Sequence, residues 1–112
     1  MKKQGLQPII GNNPRILILG SLPGDESLRR QEYYGNPRNM FWDVMSGILG
    51  EKAPAQYPQK TEYLKNHGIA LWDVLQAAER EGSLDANIRN EEFNNIERLV
   101  AENPSIEVIA TN

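Results

Sequence analysis

Polar residues that could take part in chemistry follow each of three short apolar runs in the sequence. The glycine-rich segment Gly20–Gly24 follows the first run, Asp73 the second and Asn112 the third. Ligands of open α/β sheets bind beyond the carboxyl ends of the strands, so we expect these residues to meet at one edge. The glycine spacing fits neither a phosphate-binding P-loop nor a dinucleotide fingerprint, so a tight turn is the simpler interpretation of that segment alone.

A second set of polar residues lies where a helix is predicted to begin. Asn36 suits the N-cap and Pro37 the first helical position, so the sequence predicts a helix that ends at Gly50. Asn39 would occupy the third helical position, where its amide can reach a ligand, a water or its own backbone. The residues predicted to face the core recur at helical spacing and are Met40, Phe41, Val44, Met45, Ile48 and Leu49.

The elements predicted to position these residues alternate between strands and helices. Buried strands are predicted at 15–19, 69–72 and 106–110, because each is a short apolar run. Helices are predicted at 25–32, 36–49, 61–66, 74–79 and 90–102, with a turn at 82–85 and a polar lead at 1–14. Asp73 is then expected to cap the helix at 74–79. This order predicts an α/β fold with a parallel sheet.

Composition excludes several classes of protein. The chain has 112 residues, of which 39% are hydrophobic and 24% charged, as is typical of one globular domain. It has no cysteine and one histidine, which excludes disulfides, zinc fingers, iron–sulfur clusters and multi-histidine metal centres. No apolar run approaches the ~20 residues of a membrane span, and no apolar segment of a secretory signal follows the basic start. We expect a cytoplasmic protein.

The formal net charge of −3 is unevenly distributed along the chain. Residues 1–42 carry six basic and three acidic side chains, whereas residues 43–112 carry six basic and twelve acidic ones. A positive amino-terminal part could face phosphates even though the whole chain is acidic. A chance fluctuation is the alternative, and charge taken alone favours it.

Together, the motifs resemble the uracil-DNA glycosylase superfamily, and within it the hypoxanthine (deoxyinosine) DNA glycosylase branch. The first half of the resemblance consists of Gly20–Gly24, Ser27-Leu28, Tyr33-Tyr34, Pro37-Arg38-Asn39 and Phe41-Trp42 at the spacing of that branch. The second half consists of Leu71–Val74, Arg80–Asp85 and Phe93–Asn95. The resemblance therefore runs from the first predicted strand to the end of the chain.

The resemblance implies a three-layer α/β sandwich with a central parallel sheet and the activity of a monofunctional DNA glycosylase. Such an enzyme flips a deaminated base, hypoxanthine or uracil, out of double-stranded DNA and hydrolyses its N-glycosidic bond. It uses no metal or other cofactor. It leaves an abasic site without a strand break, since the motifs place no lysine for lyase chemistry.

The resemblance also implies roles for individual residues. Asn39 would position the attacking water, because Leu22 stands where related members carry an asparagine in the first loop. The residues implied to bind the base are Gly20, Ser21, Leu22, Tyr34 and Asn112, and those implied to contact DNA phosphates are Arg29, Arg30 and Arg38.

Two departures from the family pattern leave alternatives open. Asn36 stands where a histidine usually precedes Pro-Arg-Asn, which removes any electrostatic help from an imidazole. Members of the family also continue past the third strand, so residues 1–112 are expected to form one domain that is incomplete at its carboxyl end. A non-catalytic nucleobase-, nucleotide- or DNA-binding module and an inactive fragment are therefore alternatives. An exposed third strand could also mediate self-association.

Overall fold

The structure is a computed structural model that describes residues 2–80 and 85–112. Its strands are β1 Lys2–Gln4, β2 Ile16–Gly20, β3 Ile69–Asp73, β4 Leu75–Glu79, β5 Arg89–Phe93 and β6 Val108–Thr111. Its helices are α1 Asp25–Arg30, α2 Phe41–Leu49, α3 Tyr57–Asn66 and α4 Ile96–Glu102, with a 3₁₀ turn at Asp85–Asn87. The turn predicted at 82–85 lies, except for Asp85, outside the described residues.

The three predicted buried strands form one parallel sheet in the order β3-β2-β6. β2 pairs with β3 from Ile16 opposite Ile69 to Gly20 opposite Asp73, and its other edge pairs with β6. This confirms the predicted parallel arrangement. Because all three strands run in the same direction, the residues that follow them lie at the same edge of the sheet.

The prediction of a helix at 74–79 is wrong, because this segment is a strand of a second, antiparallel sheet. β4 follows β3 after Val74 alone and lies between β1 and β5. The Leu-Gln-Ala-Ala-Glu sequence of β4 favours a helix by propensity, but pairing with the amino-terminal strand and burial of Leu75, Ala77 and Ala78 decide its conformation. Asp73 therefore caps no helix.

The helix predicted at 90–102 begins later than expected, because its first part is β5. Asn90 in that strand has a left-handed backbone conformation with φ of 52°. α4 starts after Asn95, whose side-chain oxygen accepts a hydrogen bond of 3.0 Å from the Arg98 N–H. The cap of this helix is thus Asn95 rather than Asn90.

The first residues of the chain are more regular than the predicted polar lead. β1 pairs with β4, and the N–H of Gly5 donates to the carbonyl of Gln76 at 2.7 Å. Leu6 and Ile9 are buried, and Ile9 exchanges two backbone hydrogen bonds of 2.9 Å with Leu71. Isolated apolar residues without periodicity do not reveal such an element in the sequence.

Helix α2 begins at Phe41, later than predicted. Asn36 and Asn39 each accept a hydrogen bond from the backbone N–H two residues on, at 2.9 and 2.8 Å, so residues 36–39 form turns instead of a helical turn. The carboxyl end is as predicted, because Gly50 follows the helix with φ of 70°.

The apolar face of α2 is only partly the predicted one. Trp42 and Met45 are buried, and Phe41 and Leu49 pack against the same cluster. The other predicted core residues of this helix recur every four positions but are exposed, namely Met40, Val44 and Ile48. The helix therefore carries apolar residues on a covered and on an uncovered side.

Apolar side chains cover the parallel sheet on both faces. On one face, Ile69 and Leu71 of β3 pack with buried residues of α2 and α3. On the other face, Leu17, Leu19 and Ala70 pack with the apolar side of α4. The result is a helix–sheet–helix arrangement. None of the helices in the described part of the chain is long and apolar enough to cross a membrane.

Candidate active site

A cleft of about 280 Å³ opens at the carboxyl edge of the parallel sheet. The predicted base-binding residues and the predicted catalytic residue all line it. Other residues that line it are Pro23, Gly24, Glu26, Ser27, Tyr33, Asn36 and Asp73. The structure thus brings together residues that are spread over most of the sequence.

The first half of the loop Gly20–Gly24 is tied to the segment that follows β3. The N–H groups of Val74 and Leu75 donate to the carbonyls of Gly20 and Ser21 at 2.8 and 3.0 Å. These hydrogen bonds continue the pairing of β2 with β3 around the edge of the sheet. The position of the loop is therefore set by the same strands that form the fold.

The second half of the loop is held by Arg80, which is only 4% exposed. Its guanidinium donates to the carbonyls of Leu22 at 3.3 Å and Pro23 at 2.5 Å. It also lies 3.4 Å from the carboxylate of Asp85, which accepts a hydrogen bond of 2.8 Å from the Ser21 hydroxyl. A buried guanidinium has five donors to satisfy, and the loop carbonyls serve as acceptors for them.

Gly20 and Asp73 lie side by side at the ends of paired strands. A Cβ atom on Gly20 would be 2.6 Å from Oδ1 of Asp73 and 3.9 Å from the hydroxyl oxygen of Tyr34. The first distance is far below normal contact, so any side chain at position 20 would force the carboxyl group of Asp73 to move. Turn geometry, the reason that the sequence suggests, is not the constraint here.

Asp73 is buried, and one oxygen of its carboxyl group accepts no hydrogen bond from the described residues. The residue is 6% exposed, and its Oδ2 has no hydrogen-bond partner among the residues that the structure describes. Burial raises the pKa of the Asp73 carboxyl to about 6; Arg80 lowers this pKa and Asp85 raises it. Buried groups with perturbed pKa values that line a cleft are candidates for function.

Tyr34 connects the turn before α2 to the end of β6. Its ring stacks on Phe41 with centroids 4.0 Å apart and planes inclined by 15°, and its hydroxyl accepts a 2.5 Å hydrogen bond from Nδ2 of Asn112. The N–H of Asn112 donates to the carbonyl of Leu19 at 2.9 Å, which places Asn112 beside β2. Burial raises the pKa of the Tyr34 phenol, and the hydrogen bond from Asn112 opposes this shift.

Asn39 lines the cleft from an exposed turn. Its Oδ1 accepts a hydrogen bond from the N–H of Phe41 at 2.8 Å, so the side chain does bond to its own backbone. An amide oxygen has two lone pairs, and the amide nitrogen carries two hydrogens. The bond to Phe41 therefore orients the side chain and occupies only one of these positions.

The arginines predicted to contact phosphates have different surroundings. Arg29 and Arg30 of α1 both pair with the carboxylate of Glu26, Arg30 at 2.5 Å. The hydrogen bonds from Arg29 and then Arg30 lower the pKa of Glu26 to about 2. Arg38 lies exposed in the turn that contains Asn39. No group of three or more His, Asp or Glu side chains within residues 2–80 and 85–112 is arranged to hold a metal ion.

Sequence reasoning places Asp73 at the edge of the sheet where the site lies but assigns it no role in binding or catalysis, and it gives Arg80 no part in the site. Asp73 is predicted as a helix cap only because 74–79 is interpreted as a helix. Its predicted position at the sheet edge, directly after the second buried strand, is confirmed, because Asp73 lies opposite Gly20. Arg80 gives no signal in the sequence, because its contacts with the loop depend on the unexpected strand β4.

Comparison with known proteins gives the class of protein. The sequence matches the model of the uracil DNA glycosylase superfamily over residues 8–111. A hypoxanthine DNA glycosylase from Methanosarcina barkeri is 45% identical over 113 residues, which cover all of this chain and 72% of the relative. Another, from Methanosarcina acetivorans, is 44% identical with the same coverage. The G/U mismatch-specific uracil DNA glycosylase of Schizosaccharomyces pombe is 29% identical over 101 residues, or 88% of this chain and 30% of that protein.

The fold agrees with these matches. A solution NMR structure from Methanosarcina acetivorans, of a candidate uracil DNA glycosylase, superimposes with a TM-score of 0.90 at 44% identity, covering all of this chain and 70% of the other. The fold and the relatives define a DNA glycosylase, a hydrolase of DNA repair. The chain belongs to the uracil DNA glycosylase superfamily, as predicted, and the expected α/β sandwich is confirmed.

Proposed function

We propose that the protein removes a deaminated base, hypoxanthine or uracil, from double-stranded DNA and leaves an abasic site. The observation that carries the proposal is the cleft, where the loop Gly20–Gly24, Tyr34, Asn39 and Asn112 share one space at the sheet edge. Relatives named hypoxanthine DNA glycosylase and G/U mismatch-specific uracil DNA glycosylase support a deaminated base as the substrate.

The cleft offers a stacking surface and polar groups to a base that has left the duplex. Phe41 covers one face of the Tyr34 ring, so the base would stack on the other face. Such stacking contributes about 1–3 kcal/mol per base. The amide of Asn112 and the backbone of the loop after β2 would bind the edge of the base.

Hydrolysis breaks the bond between the base and C1′ of the deoxyribose. The departing base takes the electron pair of that bond and finally a proton, while the hydroxyl of a water molecule bonds to C1′. Asn39 would orient this water through the second lone pair of Oδ1, because the N–H of Phe41 already binds the first. Orientation of a reactant by a fixed group lowers the entropic part of the barrier.

Phosphate contacts would hold the duplex against the mouth of the cleft. Arg38 is the first candidate, because it is exposed in the same turn as Asn39. Arg29 and Arg30 share Glu26, which offsets part of their positive charge. We therefore expect a larger loss of DNA affinity from removing Arg38 than from removing either residue of α1.

Release of a base from a duplex with one inosine or one uracil tests the proposal, with alkaline cleavage of the abasic site as the readout. We expect cleavage only after alkali, and a rate roughly 100-fold lower for Asn39→Ala than for the wild type. Glu97→Gln, an exposed substitution at the start of α4, is the control and should keep the wild-type rate.

An unchanged rate for Asn39→Ala would contradict the role of this residue. Salt-dependent binding of the duplex without any base release would contradict the glycosylase and support the binding-module alternative.

A further inference from the structure

The loop Gly20–Gly24 brings peptide groups as well as side chains to the cleft, and Arg80 binds two of these peptide groups from the protein interior. The residues of the loop line the cleft, whereas the side chain of Arg80 is 1% exposed and lies outside the lining. Its guanidinium donates to the carbonyls of Leu22 at 3.3 Å and Pro23 at 2.5 Å. Both carbonyl oxygens therefore point towards the interior and away from the cleft.

The direction of a carbonyl fixes the direction of the N–H in the same peptide group. A trans peptide group is planar, and its C=O and N–H point in opposite directions. The bond between Pro23 and Gly24 is trans, so the N–H of Gly24 points away from Arg80, to the side where Gly24 lines the cleft. The peptide group after Leu22 has no N–H, because a proline follows. The cleft thus meets the positive end of one peptide dipole and the negative end of neither.

The proposed hydrolysis depends on the direction of such dipoles. When the bond to C1′ breaks, the departing base keeps the electron pair and becomes negatively charged. Dipoles and charges that already favour this negative charge lower the barrier, because nothing has to reorient during the reaction. Carbonyl oxygens that faced the base would raise the barrier instead. A group that holds the loop carbonyls turned away therefore affects the rate without touching the base.

We propose that Arg80 is a positioning residue for base release, which turns the loop carbonyls away from the departing base and adds a positive charge behind the loop. This inference rests on the proposed function. In this role Arg80 contacts neither the base nor the water and acts through the peptide groups of Leu22 and Pro23. The rigid fork of a guanidinium fixes both carbonyls at once, which the point charge of a lysine does not do.

The charge of Arg80 reaches the cleft. Burial raises the pKa of the Asp73 carboxyl, which lines the cleft, and the positive charge of Arg80 lowers that pKa. The guanidinium therefore offsets negative charge that Asp73 brings close to the base. The side chain of Asp85, which pairs with Arg80 at 3.4 Å, is 68% exposed, so water screens its charge more than that of the buried guanidinium.

The leaving group provides the first test, because a base that bears negative charge readily needs less stabilisation. Single-turnover release rates are measured on duplexes with uracil or 5-fluorouracil, and with hypoxanthine or 8-azahypoxanthine. In each pair the second base is the more acidic one. In the pair that the wild type releases, Arg80→Met should slow the first base roughly 100-fold and the second by at most about tenfold. Equal losses on both bases of the pair, or no loss, overturn the inference.

DNA affinity provides the second test, because a residue that acts only on the departing base leaves binding intact. The Kd of Arg80→Met for a duplex whose target nucleotide carries a 2′-fluorine, which slows hydrolysis, should stay within about threefold of the wild type. A loss of affinity as large as the loss of rate would indicate a collapsed cleft and overturn the inference. Arg98→Met, the same substitution at an exposed site of α4, is the control and should keep the wild-type rates and Kd.

Arg80→Lys keeps the buried positive charge and provides a variant that is less disruptive to folding. It should slow the less acidic base about tenfold, with a smaller loss on the more acidic one, because one ammonium cannot hold both carbonyls. All rates are measured at a temperature at which circular dichroism shows each variant to be folded. If Arg80→Met does not fold, Arg80→Lys decides by the same criterion.

The two proposals fail in different ways. Base release by the wild type, with equal losses on both bases in the Arg80 variants, overturns the inference alone. No release from any duplex overturns the proposed function and, with it, this inference.

Discussion

The cleft has two walls that are fixed by contacts of different range. The sheet wall, formed by Gly20–Gly24 and Asp73, is held by strand pairing and by the buried guanidinium of Arg80. The turn wall, formed by residues 36–39, is exposed and is held by asparagine side chains that bond only two residues further on. The sheet wall therefore depends on the whole fold, whereas the turn wall depends on its own sequence. Substitutions in the first should change stability, and those in the second mainly activity.

The largest expected effect on stability comes from Arg80→Met. Removing the guanidinium leaves the buried carbonyls of Leu22 and Pro23 without their charged donor, so the free energy of unfolding should fall by about 3 kcal/mol. Urea denaturation with linear extrapolation measures this change. Arg98→Met, at an exposed site of α4, is the control and should stay within about 0.5 kcal/mol of the wild type. If both variants lose the same small amount, long-range contacts do not hold the sheet wall.

A smaller change in the free energy of unfolding is expected from Asp73→Asn, and at neutral pH this substitution should stabilise the protein rather than destabilise it. The pKa of Asp73 is raised in the folded state, so the folded protein binds its proton more tightly than the unfolded chain does. The wild type should therefore lose stability as the pH rises from about 4 to about 6, and the loss should then stay constant. A shift from 3.8 to about 6 corresponds to at most roughly 3 kcal/mol.

The measurement is the free energy of unfolding of the wild type and of Asp73→Asn, compared at a series of pH values. Asp73→Asn should lack the decline between pH 4 and pH 6, and it should be at least as stable as the wild type at pH 7. If the stability of both proteins depended on pH in the same way, ionisation of the Asp73 carboxyl would not be what lowers the stability of the wild type between pH 4 and pH 6.

The smallest effect on stability is expected from Asn39→Ala in the turn wall. The variant loses one local hydrogen bond to the N–H of Phe41, which is worth about 1 kcal/mol in similar caps. Thermal unfolding followed by circular dichroism should show a slightly lower midpoint, while the excision rate falls as described above. A loss of stability as large as that of Arg80→Met would remove the distinction between the two walls.

The parallel sheet and the meeting of the residues that follow its strands could be predicted from sequence for the same reason. β2, β3 and β6 are continuous apolar runs, and parallel strands bring the residues after them to a single edge regardless of the details between. Tyr34, Asn39 and Asn112 were assigned by resemblance, and the structure places all of them in the cleft.

The antiparallel sheet could not be predicted, because its strands lack a local pattern. Residues 75–79 resemble a helix by propensity, and their conformation depends on β1, which lies at the amino-terminal end of the described chain. The uncovered side of α2 is a related case. Met40, Val44 and Ile48 have the spacing of a core stripe, and periodicity alone does not say which of two apolar rows meets the core.

Only Val74 separates β3 from β4, so one nearly continuous segment is a member of both sheets. Neither sheet can open at this segment without disturbing hydrogen bonds of the other, since Val74 and Leu75 also donate to the loop after β2. The two sheets should therefore behave as one cooperative unit in local unfolding. Asp73 lies at the junction of the two sheets, so its backbone is fixed by the pairing of β3 on one side and is followed by the hydrogen bonds of Val74 and Leu75 on the other.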